Sequence, residues 1–179
     1  ENDFADYSGH LTKNPRVTLV NAEARSFLAA SPERYDLIWL VAPDSYAAMN
    51  AATSGAFVLS ESYLYTVEMI VDSLERLTEN GILCAQFGEV DFDRKPNRTA
   101  RYLGTAREAF RQLGIEDFDR HVLVGTSPGF GLGNVSTILL RRTPFTEADV
   151  ARFTASIARV PNGQVRFAWT QRNGGNAPG

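Results

Sequence analysis

Along residues 35–41 the order Tyr-Asp-Leu-Ile-Trp-Leu-Val places a single polar side chain in an apolar run, with Glu33-Arg34 before it and Pro43-Asp44 after it. Apolar residues at both alternations suit a strand covered on both faces, the usual state in a parallel sheet. A second run at 82–87, Ile-Leu-Cys-Ala-Gln-Phe, predicts the next strand. Between them Leu64, Val67, Val71, Leu74 and Leu77 recur at helical spacing and predict a helix over 61–78. Asn80-Gly81 then reads as a left-handed helix stop.

The same reading extends to both sides. Residues 1–16 are polar, with Ser8-Gly9 and Asn14-Pro15 as turn signals. The β-branched run at 17–20 predicts a strand, and 22–30 a short helix with Phe27 and Leu28 inward, stopped by Ser31-Pro32. Residues 42–60 form a long alanine-rich connection carrying Asp44, Tyr46, Asn50, Thr53, Ser54 and Gly55; loops of that length are usually functional or unstructured. Ala100, Leu103, Ala106, Phe110 and Leu113 predict a helix over 97–113, with Gly114 after it. Strands at 121–124 and 136–140 flank a glycine-rich loop at 126–134, the pattern of an antiparallel hairpin. Thr146-Glu-Ala-Asp149 resembles a capping box and opens a helix to about residue 159, with Val150, Phe153 and Ile157 on one face. From Gln171 the Gly/Asn-rich tail is expected to be disordered. Strands alternating with helices predict one three-layer α/β domain over 1–170, a mostly parallel Rossmann-like sheet with an antiparallel C-terminal hairpin.

Composition narrows the classes. A chain of 179 residues, 44% hydrophobic and 22% charged, is long enough to bury about 70% of its unfolded surface as one globular domain. The formal net charge of −3 argues against a general nucleic-acid binder. Cys84, the one cysteine, sits in an apolar run, reads as a small buried hydrophobe and fits a reducing compartment. No stretch approaches the roughly 20 apolar residues of a membrane span, and no signal peptide is visible. The chain opens on Glu1 rather than methionine, so a processed product or an excised part of something longer is expected. His10 and His121 lie far apart without cysteine partners, which argues against a metal site, and no Ser/His/Asp signature is present. Arg94, Lys95, Arg98, Arg101, Arg107 and Arg111 read as a solvated helix face rather than an anion patch.

Tyr35-Asp36-Leu37-Ile38, the loop at Asp44, Leu64-Tyr65-Thr66-Val67-Glu68 and Gly81-Ile82-Leu83-Cys84-Ala85-Gln86 together resemble the aminopropyltransferase (spermidine synthase) family. Phe4-Ala-Asp-Tyr-Ser-Gly-His10 and the run from Gly55 to Tyr65 narrow this to the spermidine-synthase-like domains fused to membrane segments in long bacterial proteins. The resemblance spans residues 4–145. It implies a class I methyltransferase-type fold, a cytoplasmic location, and S-adenosylmethionine or its decarboxylated form as cofactor, with a polyamine as acceptor. Position by position, it places Glu23, followed by Ala24, at the cofactor adenosine; the plain alternative is that Glu23 caps the next helix. Asp44 matches the second aspartate of an Asp-x-x-Asp loop that holds and deprotonates the attacking amine. Gln86 matches a glutamine near the substrate amine, and Tyr65, with Tyr46, lines the same cleft; packing is the plain alternative for the tyrosines.

Two departures stand against activity. The first aspartate of the pair falls at Val41, which cannot ionise. The glycine turn after the fold's first strand and the acidic residue ending its second are both absent, so the sheet is expected to lack its first two strands. Gly129, Gly131 and Gly133 lie between two late strands and make a hairpin loop, not a phosphate cradle. Either the run at 17–20 closes up beside 35–41, or the open edge pairs with another copy of the chain; an unpaired 17–20 would count against this expectation. The reading is thus a transferase fragment, inactive and without bound nucleotide on its own. The alternative is an interaction or regulatory domain that keeps only the fold.

Overall fold

The computed structural model describes residues 6, 7, 9–41, 63–129 and 133–173. Helix α1, Ala24–Ala30, starts where the Glu23 carboxylate accepts from the N–H groups of Arg25 at 2.9 Å and Ser26 at 2.8 Å, two donors that a helix start leaves unpaired. Leu28 is buried but Phe27 is 38% exposed, so only one of the two residues expected inward is covered. Strand β1 is Tyr35–Leu40.

After a helical turn at Tyr63–Tyr65, the Thr66 hydroxyl accepts from the Met69 N–H and opens α2, Val67–Glu75. The helix expected over 61–78 is therefore shorter, and Leu77 already belongs to β2, Leu77–Glu89. Asn80-Gly81 is not a helix stop. It lies inside β2, and Gly81 is needed for close approach, because a Cβ there would meet the Tyr35 carbonyl oxygen at 2.6 Å. Pairing with β1 jumps at this point, from Tyr35 opposite Leu77 to Leu37 opposite Ile82.

Helix α3, Asn97–Gln112, buries Thr99, Tyr102, Ala106, Ala109 and Phe110; Ala100, expected inward, is exposed. Gly114 follows with a φ of +74°. Strands β3, Val122–Pro128, and β4, Asn134–Leu140, form the expected hairpin. Helix α4, Glu147–Ile157, carries the expected capping box between Thr146 and Asp149. Strand β5, Gln164–Phe167, is an element the sequence pattern does not predict, and a helical turn, Trp169–Asn173, continues past it. Residues 174–179 lie outside the described residues.

The sheet runs β1-β2-β4-β3-β5, with β1 parallel to β2 and every other pairing antiparallel. Ile38, Leu83, Ala85, Phe87, Ile138 and Leu140 turn to one face, where α1, α2 and α3 cover them with Leu28, Met69, Leu74, Ala106 and Phe110. On the other face Leu123 packs with Phe145, Val150 and Ala168, so α4 forms a third layer over β3 and β5. The α/β class and three layers are those expected, but among the described strands the sheet is mostly antiparallel, because of neighbouring strands only β1 and β2 are joined by a helical crossover. Residues 17–20 form no strand, and Leu19 and Val20 are 66% and 53% exposed. That overturns the closing up of this run onto β1. A strand needs a ladder partner, and the described residues offer none there.

Candidate functional site

In an α/β sheet, ligands collect beyond the carboxyl ends of parallel strands. Here that means the ends of β1 and β2. Val41 leaves β1 58% exposed, at the position where the resemblance calls for a carboxylate. Asp44 and Tyr46 lie outside the described residues.

Gln86 is held from both sides. Its Oε1 accepts from the Trp39 indole N–H at 3.2 Å, and its Nε2 donates to the Thr137 hydroxyl at 3.0 Å. Because an indole nitrogen only donates, the amide orientation is determined. The side chain is thus a positioned neutral group in the row formed by Trp39, Gln86 and Thr137.

Tyr65 lies on the opposite side of β2. Its ring packs 5.5 Å from Phe87 and edge-on to Tyr102 at 6.4 Å, with Phe87 and Tyr102 5.2 Å apart. Phe87 follows Gln86 in the strand, and successive strand residues point to opposite faces. The structure therefore brings Tyr65 and Gln86 to the same strand end but onto different faces. The buried Tyr102 hydroxyl has no hydrogen-bond partner among the described residues, and burial pushes its phenol far above the usual range.

Glu23 and Ala24 sit at the exposed start of α1. Both Glu23 oxygens are taken by helix N–H groups, and Oε2 also accepts from the Ser26 hydroxyl at 2.9 Å. These hydrogen bonds, the Arg25 N–H first, hold the carboxyl below its ordinary value. The described ends of the glycine loop are tied to each other, since the Gly129 N–H donates to the Gly133 carbonyl at 2.9 Å. At these positions the described residues present no free carboxylate and no open row of N–H groups for an adenosine or a phosphate. They do not fit a seat for an S-adenosylmethionine-type nucleotide.

Sequence reasoning missed Glu89, at the end of β2. It is 5% exposed, and its Oε1 accepts from the Thr99 N–H at 2.7 Å and the Thr99 hydroxyl at 2.9 Å. The Thr99 hydroxyl also meets that of Ser136 at 2.7 Å. A carboxylate is thereby fixed at the N-terminus of α3, where the helix dipole favours it. From β5 the Arg166 guanidinium packs 4.7 Å over Phe92, donating to the Thr126 hydroxyl at 2.7 Å and to Asp93 at 2.6 Å. The available signal was a strand-end glutamate followed by a threonine in the first turn of the next helix.

The remaining candidates fall into structural roles. Arg107 and Arg111 pair with Asp119 and Glu108, and Arg98 donates to the Gly88 carbonyl at 2.6 Å. His10 pairs with Asp6 at 2.9 Å, and a His121 ring nitrogen meets the Arg141 carbonyl oxygen at 2.9 Å. Among the described residues no helix is long and apolar enough to cross a membrane.

Burial pushes the Cys84 thiol up from about 9 to about 11. The protonated thiol is favoured in the folded state, so its contribution to stability is complete below about 9 and is lost as pH rises towards about 11. A thiol reagent at pH 8 is expected to label Cys84 only in denaturant. Stoichiometric labelling of the folded chain on the timescale of a free thiol would contradict this.

No protein-family model matches the chain, and no curated protein matches it. Among solved structures, one similar in fold is a probable spermidine synthase from Corynebacterium glutamicum ATCC 13032. It has a TM-score of 0.57 and 21% identity over 97% of this chain. The chain spans 59% of that structure's length. The chain thus has a spermidine-synthase-like fold.

Proposed function

We propose that this chain is part of a spermidine-synthase-like transferase domain, namely the part that presents the acceptor end of the site and does not grip the nucleotide. The observation that carries this is Gln86, locked between Trp39 and Thr137 at the carboxyl end of the β1–β2 parallel pair. In a fold of this type that strand end is where an acceptor would lie. Gln86 would orient an amine by a neutral hydrogen bond, and Asp44 would supply the carboxylate that pairs with a cationic polyamine, while Tyr65 would back the same strand end from the opposite face. With Val41 in place of a second carboxylate, the amine keeps its proton at neutral pH and remains a poor nucleophile.

The test is a putrescine titration followed by NMR on the Gln86 side-chain amide and the Trp39 indole N–H. Both signals are expected to move together at millimolar putrescine, and less in Gln86→Ala for the indole. Signals that stay put while resonances elsewhere shift would remove the acceptor role.

A second reading, an interaction domain that retains only the fold, is favoured by one specific observation. Strand β1 carries an apolar row that is largely uncovered, with Leu37 and Trp39 53% and 54% exposed.

A further inference from the structure

Strand β1 has the composition of a central strand and the position of an edge one. Leu37, Trp39 and Val41 form one row, 53%, 54% and 58% exposed, whereas Ile38 on the reverse is 8% exposed. Trp39 stands in register with Cys84 of β2, and Cys84, flanked by strands on both sides, is 7% exposed. Among the described residues no strand covers the outer flank of β1, and α4 lies over β3 and β5 rather than over this face of β1. An apolar edge with unpaired backbone groups is a ready template for another strand.

We propose that this edge is an interface between two copies of the chain, joined by antiparallel pairing of β1 with β1 about Ile38. A two-fold contact uses the same patch twice, so the strand must complement itself. Centred on Ile38, residues 35–41 pair over their whole length. Leu37 then lies opposite Trp39 of the second copy, twice, and Tyr35 opposite Val41, twice. Asp36 faces Leu40. No like charges stand opposite one another, and the facing pairs are the apolar and aromatic kind that stabilise a ladder. A register centred on Asp36 would set two carboxylates face to face and leave Trp39 without its apolar partner. The resulting sheet has ten strands, within the size that open sheets reach.

Sedimentation velocity from about 1 to about 100 μM should show a concentration-dependent dimer, the range in which an interface of modest size associates. Leu37→Lys, which puts a charge on an already exposed edge position, should weaken the dimer at least ~10-fold, the action of an edge lysine. Hydrogen exchange on the unaltered chain gives a readout independent of that variant. Amides of β1 should be protected more at high concentration than at low, and those of β5 equally at both. A monomer throughout overturns the proposal and leaves the edge to some other polypeptide segment. So does a dimer that Leu37→Lys does not weaken, or exchange in β1 that ignores concentration.

Discussion

Gly81→Ala should destabilise the chain by about 3 kcal/mol, the upper range for forcing an extra carbon into a packed site. The added Cβ would lie 2.6 Å from the Tyr35 carbonyl oxygen, 2.9 Å from the Leu77 Cβ and 3.0 Å from the Thr78 nitrogen. Two of these are backbone atoms, and Tyr35 begins the strand that pairs with β2, so relief requires moving β1. Gly114 is the control. It has a φ of +74°, and a Cβ added there would meet no atom within 4 Å, so Gly114→Asn should cost no more than about 1 kcal/mol. Gly81→Asn should be at least as harmful as Gly81→Ala. Urea denaturation of the three variants decides it. A mild Gly81→Asn would restore the left-handed stop that the sequence suggests.

Glu89→Ala should cost a similar amount, about 3 kcal/mol. Removing the carboxylate leaves the buried Thr99 N–H without an acceptor, worth roughly 1–3 kcal/mol, and takes a negative charge from the start of α3. Glu89→Gln keeps an acceptor oxygen at the same place and should cost about 1 kcal/mol. Thermal unfolding of the two variants should separate them by several degrees for a chain of this size. Equal losses would mean that the charge, not the hydrogen-bond geometry, is what holds α3 to the end of β2.

Glu89 also marks where the sequence stops being readable. Its partner Thr99 is ten residues on and Ser136 lies in another strand, so no local pattern joins the three. Strands β1 and β2 were legible because apolar runs of that length have few other uses, and the capping box at Thr146 because its partners are three residues apart. The run at 17–20 looked equally strand-like, yet a strand exists only with a partner, and partnership is not written locally. The opposite error, missing β5, came from four residues whose Val165 and Phe167 alternate too briefly to stand out. Glu23 was legible in both its roles, and its carboxylate is committed to the helix cap. Gln86 was singled out by resemblance alone. Its anchoring between Trp39 and Thr137 depends on register across three strands.

At the positions described, the fold is kept and the expected nucleotide contacts are turned inward to the helix cap and the hairpin. Calorimetric titration of S-adenosylmethionine and of its decarboxylated form into the folded chain tests this most directly. No saturable heat is expected for either compound up to millimolar concentration. A one-to-one binding isotherm in the micromolar range would contradict the account, and its loss in Glu23→Gln would place the nucleotide at the start of α1.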